Sequence, residues 1–322
     1  MREIITPRLR KTIRIAASLA IFVLVLLAVN PREVMQGFRN LSLLYLTATL
    51  GMVVADSLLR SVNWHQLLNR FAPIDVTQTW LAYLAGAFYG SIIPSTVGTD
   101  IARAGMVTQR ASIDMRVSLG TLVTLNILGL GAVGALGTIA AVFLLPSNDS
   151  KFLIFELGFS GSLVLIVGVL LFTALGRRLV ELVSMAAAQW PVVQRFLDPL
   201  MSALLVLPTT SRSRLLLAVI ALVNQVIRIS VTAVAALSLG LAIDWWIFAA
   251  IAPLLIIISM VPMSISGIGI EQGAMVVLLA QFGVAGSDAF AISITVASVY
   301  IALAFAGGIV VTLGSVVGPQ KR

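Results

Sequence analysis

Long apolar runs, separated by short polar segments, extend over almost the entire chain. A helix of about 20 apolar residues is long enough to cross the hydrocarbon core of a membrane. Such runs predict six full transmembrane spans, at 13–29, 41–59, roughly 117–145, 151–175, 213–240 and 288–313. Two other apolar regions, 79–110 and 245–283, are interrupted and do not read as simple spans.

Two stretches, 91–107 and 259–275, break the apolar pattern in the same way. Each begins Ser-x-x-Pro and then passes through small polar residues and glycine to an acidic residue. Proline, glycine and ionisable groups at membrane depth are costly unless they line a cavity. We therefore expect 79–110 and 245–283 to be re-entrant helical hairpins, and a binding site to be built from their broken helices.

The distribution of the 21 lysines and arginines predicts how these elements are oriented. With both termini in the cytoplasm, most basic residues flank cytoplasmic helix ends, and the opposite side receives only Arg32, Arg39 and Lys151. The first hairpin then enters from the cytoplasm and the second from outside. This predicts one polytopic domain, 1–322, that is an inverted repeat of halves at roughly 1–150 and 151–322. Coincidence is the alternative, because serine, proline and glycine are common where membrane helices break.

Composition places the chain among integral membrane proteins. It is 59% hydrophobic and 11% charged, whereas about a quarter of the residues in a soluble domain are charged. The net charge of +8 lies at the ends of apolar runs, as expected for flanks that face anionic lipid, and so does not indicate nucleic acid. Cysteine is absent and histidine occurs once, so thiol chemistry and a histidine-cluster metal site are excluded, and no cofactor motif is present. We expect a multi-pass protein of the cell (inner or cytoplasmic) membrane, with 13–29 as an uncleaved first span.

Arg228 is the most informative single residue, because it lies in the middle of the span 213–240. A guanidinium at that depth costs several kcal/mol unless an acid, backbone carbonyls or an anionic ligand compensates it. Asn224 lies four residues earlier and so shares its helix face. The planar guanidinium suits a phosphate ligand. A structural ion pair, with Asp56 or Glu271, is the other interpretation, and the two are compatible.

The residues beside the two breaks are the other candidates for substrate binding. In the first, Asp100 is either a helix N-cap or, with Arg103 and Ser95, part of an anion site at a helix start. In the second, a carboxylate as deep as Glu271 is rarely without a function. Ser264 and Gln272 flank it and complete the predicted set of substrate-binding residues.

Several other polar and aromatic residues receive less specific interpretations. Asp56 and Arg60 are interpreted as an ion pair on a helix surface, since they are four residues apart. Trp64 and Tyr83 are assigned to aromatic belts at the membrane interfaces. No nucleophile–base pair, phosphate-binding loop or nucleotide fingerprint is present, so we do not expect an enzyme.

The two interrupted motifs together resemble those of the transmembrane region of lysylphosphatidylglycerol synthases and their stand-alone, flippase-like relatives. The family pattern Pro-Ser-x-x-Gly-Gly-Asp-x-x-Arg matches residues 94–103, and Pro-x-Ser-x-x-Gly-x-Gly-x-Arg-Glu-Gly matches residues 262–273. Here Thr99 replaces the second glycine, Glu271 replaces the arginine, and Gln272 replaces the glutamate. These departures leave the lipid head group open.

The resemblance implies translocation of a membrane lipid between leaflets. The lipid would be an aminoacyl-phospholipid or a polyprenyl-phosphate-linked sugar. The soluble aminoacyl-transferase domain of the synthases is not part of this chain, so no lipid synthesis is expected. The alternatives are a scaffold for a glycosyltransferase or lipid synthase, and a transporter of small solutes. The expectation is therefore an all-α membrane protein with a polar cavity lined by Asp100, Arg103, Arg228 and Glu271.

Overall fold

A computed structural model describes residues 27, 31–92, 96–111, 113–147, 151–186, 201–204, 206–208, 210–260 and 269–314. All regular elements in this part of the chain are helices. The predicted all-α membrane class is therefore confirmed.

Eleven helices within the described residues position the site. In chain order they are α1 (Pro31–Gly37), α2 (Leu43–Leu68), α3 (Val76–Ile92), α4 (Thr96–Ala111), α5 (Met115–Leu144), α6 (Lys151–Phe172), α7 (Ala174–Ala186), α8 (Ser211–Ser238), α9 (Trp245–Ser259), α10 (Ile270–Ala280) and α11 (Gly286–Gly314). Short 3-10 turns follow α1 and α5, at Phe38–Asn40 and Leu145–Ser147.

Five of these helices are long and apolar enough to cross a membrane: α2, α5, α6, α8 and α11 over Gly286–Ile309. They match five of the six predicted spans. Of the first predicted span, 13–29, only residue 27 is described. The second span is longer than predicted, since α2 continues past residue 59 to Leu68 and so carries Arg60 within a helix.

The two interrupted regions each contain a pair of shorter helices. In the first, α3 packs on α4, and in the second, α9 packs on α10. The second pair resumes at Gly269, whose φ of 91° lies in the left-handed region that favours glycine. Residues 93–95 and 261–268 join the members of each pair and lie outside the described part of the chain.

Two sets of four helices pack in matching patterns. In the first set are α2, α3, α4 and α5, and their counterparts in the second set are α8, α9, α10 and α11. If every helix is replaced by its counterpart in the other set, each well-packed pair among these eight becomes another well-packed pair. For example, α3 packs on α11 and α9 packs on α5, while α2 and α8 pack on each other. The first residues of α2 and α8, Leu43 and Ser211, have the same separation of 168 positions as Asp56 and Asn224.

Candidate functional site

The site is centred on a contact between α2 and α8. The Asn224 side-chain amide donates to the Asp56 carboxylate at 2.9 Å and to the Asp56 backbone carbonyl at 3.2 Å. Asp56 is 2% exposed and Asn224 is 6% exposed, so water does not compete freely for these bonds. Burial of a carboxylate requires compensation by hydrogen bonds and positive charge. The arginines around it supply that charge.

Three arginines from three helices interact electrostatically with Asp56: Arg60 on α2, Arg103 on α4 and Arg228 on α8. Arg60 and Arg228 each lie four residues after Asp56 and Asn224, so each arginine shares a helix face with a residue of the central hydrogen bond. The cluster therefore joins positively charged groups from both sets of exchanged helices around one buried carboxylate.

Arg103 is held by contacts with α3, α4 and α5. Its guanidinium forms an ion pair with Asp100 at 3.0 Å and lies over the Tyr83 ring, 4.0 Å from the centroid. Asn126 donates to the second Asp100 oxygen at 2.9 Å and accepts from Arg60 at 3.3 Å. A chain of polar contacts thus connects Arg60 to Arg103 through an amide and a carboxylate.

Tyr83 is shared by the arginines. The Arg60 guanidinium lies 6.0 Å from the same ring centroid, and Arg228 interacts electrostatically with Tyr83. A cation over an aromatic face is stabilised by about 0.5–2 kcal/mol, more when the pair is desolvated. The Tyr83 ring therefore helps to stabilise arginines that lie near one another where no carboxylate separates them.

Arg228 is partnered by hydroxyl and carboxylate groups from three helices. It donates a side-chain hydrogen bond to Tyr300 on α11 and interacts electrostatically with Asp56 and with Glu271 on α10. Within the described residues, no carboxylate forms an ion pair with Arg228 within 4.0 Å. Arg228 and Glu271 are both half-buried.

Close approach of α3 and α4 depends on glycine. The stem of Arg103 lies directly against Gly86, where a Cβ atom would overlap its Cγ. Similarly, Gly307 on α11 lies against the backbone carbonyl of Leu84 on α3. These two contacts bring the Arg103 and Tyr300 sides of the cluster toward Tyr83.

Five of the eight predicted substrate-binding residues belong to one network of contacts and charges: Asp100, Arg103, Asn224, Arg228 and Glu271. Gln272 is 2% exposed, and its side-chain oxygen accepts from the Gly269 backbone N–H at the start of α10, so it stabilises that helix start. A role for Gln272 in substrate binding stays a prediction. Ser95 and Ser264 lie outside the described residues.

Two interpretations of single residues are wrong. Asp100 is not an N-cap, because α4 begins at Thr96 and places Asp100 inside the helix, where its carboxylate binds Arg103 and Asn126. Trp64 does not lie at an aromatic belt, because it is 1% exposed and donates its indole N–H to Thr121 at 2.9 Å. In both cases a specific polar partner on α4 or α5 fixes the position of the side chain, and the usual preference of aspartate for helix starts or of tryptophan for membrane interfaces does not apply.

Sequence reasoning also missed part of the network. Asp56 and Arg60 are predicted to form a surface pair and Tyr83 to lie at an interface, although all three belong to or face the arginine cluster. Asp56 is also a predicted partner of Arg228, and the two interact electrostatically. Tyr300 is not predicted to belong to the site. One signal was available in the sequence: Asp-x-x-x-Arg at 56–60 and Asn-x-x-x-Arg at 224–228 have the same spacing and the same separation as the two Ser-x-x-Pro motifs.

The cluster contains equal numbers of acidic and basic side chains. Arg60, Arg103 and Arg228 are matched in number by the carboxylates of Asp56, Asp100 and Glu271. A small cavity of about 20 Å³ lies beside Arg60 and Asn224 and is large enough for about one water molecule. The guanidinium groups therefore lie inside the helix bundle, with room for water beside Arg60.

Comparison with known proteins gives one result. The model of the family described as "Lysylphosphatidylglycerol synthase TM region" matches residues 12–308 of this chain, which is nearly its whole length. Comparisons with curated proteins and with solved structures found no match.

Proposed function

The chain belongs to the family of lysylphosphatidylglycerol synthase transmembrane regions, and we propose that it moves an anionic or phosphate-linked lipid between membrane leaflets. The observation that carries this proposal is the cluster of Arg60, Arg103 and Arg228 around Asp56 and Tyr83. Ionisable groups at membrane depth are costly and usually mark a functional site, and these guanidinium groups would bind a phosphate head group.

The mechanism of the proposal is alternating access. The lipid phosphate is held by the arginines and by backbone amides of the broken helices, while the acyl or prenyl chains stay in the bilayer. The hairpins α3–α4 and α9–α10 enter from opposite sides of the cell membrane, with both termini in the cytoplasm. Movement of one half of the repeat against the other then opens the site to each leaflet in turn. The exchangeable helix packing and the constant separation of 168 positions support this repeat.

The lipid is an aminoacyl-phospholipid or a polyprenyl-phosphate-linked sugar. Glu271, from the second hairpin, interacts with Arg228 and would help to select between the head groups of such lipids. A carboxylate beside the arginine cluster, next to Arg228, suits a head group that carries an amine or hydroxyls as well as a phosphate. Ser95 and Ser264, at the hairpin tips, would supply hydroxyl donors to the same lipid.

The first test is identification of the bound lipid. The wild-type protein, Arg228→Ala and Arg178→Ala are purified in mild detergent, and retained lipids are identified by mass spectrometry. Arg178 is an exposed arginine on α7 and serves as the matched control. We expect one class of anionic lipid on the wild type and on Arg178→Ala, and its loss from Arg228→Ala. The same lipids on all three proteins would contradict the phosphate site.

The second test measures movement. Purified protein is reconstituted in liposomes with a labelled form of the retained lipid, and its transfer between leaflets is followed. Arg103→Ala and Arg228→Ala should abolish transfer but leave expression unchanged. Wild-type rates in both variants would refute the mechanism. If the wild-type protein itself moves no lipid, a scaffold for a lipid-modifying enzyme becomes the better explanation.

The third test concerns the orientation of the hairpins. Because the chain contains no cysteine, Ser95→Cys and Ser264→Cys each introduce a single thiol. Membrane-impermeant reagents should label the two from opposite sides of the membrane. Labelling of both from one side would eliminate the inverted repeat.

A further inference from the structure

Glu156 is a buried carboxylate that lies outside the arginine cluster. It belongs to α6 and is 0% exposed, as is Ser160 one turn later. The Ser160 hydroxyl donates to Glu156 Oε1. The other oxygen, Oε2, is buried and has no hydrogen-bond partner within the described residues. The proposed translocation mechanism does not use this residue.

The carboxyl group lies where α5, α6 and α9 meet. A Cβ atom at Gly137 on α5 would lie 2.5 Å from the Pro253 ring on α9, 2.9 Å from Ser160 Oγ and 3.2 Å from Glu156 Oε1. Glycine at this position therefore leaves the space in which the three side chains approach each other. Since α9 is the first arm of the second hairpin, Glu156 lies at the boundary between that hairpin and the α5–α6 pair.

Within the described part of the chain, no basic group contacts Glu156. The helices packed against α6 are α5, α7 and α9. The ionisable residues on these helices or at their N-caps, together with the others on α6, are Asp114, Arg116, Lys151, Arg177, Arg178, Glu181 and Asp244. Within the described residues, no ion pair or hydrogen bond joins Glu156 to any of them. Burying an ionised carboxylate without a partner costs several kcal/mol of free energy, whereas burying the neutral acid does not carry that cost.

Helix α9 lacks one of its own hydrogen bonds beside this carboxyl. Pro253 has no N–H, so the carbonyl of Ala249 has no donor four residues later in the helix. A protonated Glu156 presents an O–H donor at Oε2, while the carboxylate presents acceptors alone. Protonation therefore decides whether Glu156 can donate a hydrogen bond from Oε2 or can only accept one.

We propose that Glu156 is a proton-binding site that couples movement of the α9–α10 hairpin to uptake and release of one proton. With the hairpin packed against α5 and α6, the proton stays on Glu156. When the hairpin moves away, water reaches Oε2 and accepts the proton, leaving a hydrated carboxylate that is reprotonated before the helices close. The coupling rests on the proposed lipid translocation, whereas the proton site itself does not.

Infrared spectroscopy tests the proton site without any transport assay. A neutral carboxylic acid has a carbonyl band that is separate from the amide bands and from the carboxylate bands. Wild type, Glu156→Gln and Glu181→Gln are compared in lipid nanodiscs at neutral pH. Glu181 is exposed on α7 and is the control. We expect the acid band in the wild type and in Glu181→Gln, and its loss in Glu156→Gln. An unchanged band in Glu156→Gln, or no acid band in the wild type, would overturn the proposal.

A chemical test on the wild type avoids dependence on the folding of a variant. A membrane-soluble carbodiimide reacts with a protonated carboxyl: the acid proton passes to a carbodiimide nitrogen, and the carboxyl oxygen bonds to the central carbon. The adduct therefore contains the whole reagent and is located by peptide mass spectrometry. Glu156 should be modified at neutral pH and less so as the pH rises. Modification of other carboxylates but not of Glu156 would contradict the assignment.

Coupling is tested in liposomes with an imposed pH gradient. The gradient should accelerate lipid transfer by the wild type, and protons should enter with the lipid. Glu156→Gln should retain lipid transfer but lose both effects completely. Transfer by the wild type without any response to the gradient would overturn the coupling. If the wild type transfers no lipid, the proposed function fails, while the infrared and carbodiimide results still decide on the proton site.

Discussion

Exchange of Asp56 and Asn224 tests both the centre of the site and the repeat. The two residues are hydrogen-bonded to each other, and each is followed four positions later by an arginine. In the variant Asp56→Asn with Asn224→Asp, the amide and the carboxylate change places. The new carboxylate then stands before Arg228 as the original one stands before Arg60.

The expected changes in unfolding free energy follow from the two hydrogen bonds that the Asn224 amide donates to Asp56. A hydrogen bond to a charged group contributes about 1.5–3 kcal/mol and one between neutral groups about 0.5–1.5 kcal/mol. The single variant Asn224→Asp removes both hydrogen bonds. It also places two carboxylates opposite each other in a site where Asp56 is 2% exposed. We expect this variant to lose about 3–5 kcal/mol of unfolding free energy, the range for an uncompensated buried charge. Addition of Asp56→Asn should recover at least half of the loss, because the amide–carboxylate bond is restored.

Unfolding of the purified proteins in mixed micelles, by titration with a denaturing detergent, measures these free energies. The control is Asp56→Asn with Gln225→Glu, which introduces a buried carboxylate at the next position of α8. Gln225 donates to the Gly129 carbonyl at 3.1 Å and does not face Asp56, so no recovery is expected. If the exchanged pair is no more stable than the sum of its single variants predicts, the Asp56–Asn224 contact does not couple the two halves.

Two further predictions use glycines that differ in the space around them. Gly86→Ala forces the Arg103 stem away from the Tyr83 ring, a contact of about 0.5–2 kcal/mol, so retention of anionic lipid in mass spectrometry should fall by about two- to thirty-fold. Gly105→Ala, with no atom within 4 Å, should retain lipid as the wild type does. Gly307→Ala places a methyl group against a backbone carbonyl and should cost about 1–3 kcal/mol in the same unfolding assay, whereas Gly161→Ala, in open space, should cost nothing. Equal effects within either pair would show that close helix packing is not the cause.

The helical class and the spans could be predicted because they depend on apolar run length alone. Five predicted spans are found as helices, and both interrupted regions contain a pair of short helices. Arg228 and Glu271 could also be identified, because a charge at membrane depth stands out from its surroundings in the sequence. These features are local, and a single chain is sufficient to recognise them.

Asp56 and Glu271 could be predicted as neighbours of Arg228, but the remaining partners could not, because they come from packing between distant helices. Asp56 and Arg60 satisfy the spacing of a surface ion pair, yet Asp56 binds Asn224 on α8 and Arg60 binds Asn126 on α5. Nothing in the local pattern distinguishes these two situations. Tyr83 is similar, since an aromatic residue near the start of the predicted region 79–110 fits a membrane interface as well as it fits a cation–π contact. The shared separation of the two halves was the signal that could have decided between them.

Arg103 and Glu271 show where the two halves differ. Both follow a hairpin break, and they occupy corresponding positions because their separation equals that of Asp56 and Asn224. One half therefore presents a cation, and the other a carboxylate that interacts with Arg228. If this asymmetry selects a head group with both a phosphate and an amine or hydroxyls, Glu271→Arg should shift the retained lipids toward purely anionic ones. Glu271→Gln, which removes the charge without reversing it, should weaken selection in the same direction but less. An unchanged lipid profile in both variants would mean that the head group is chosen elsewhere, and that Glu271 serves the charge balance of Arg228.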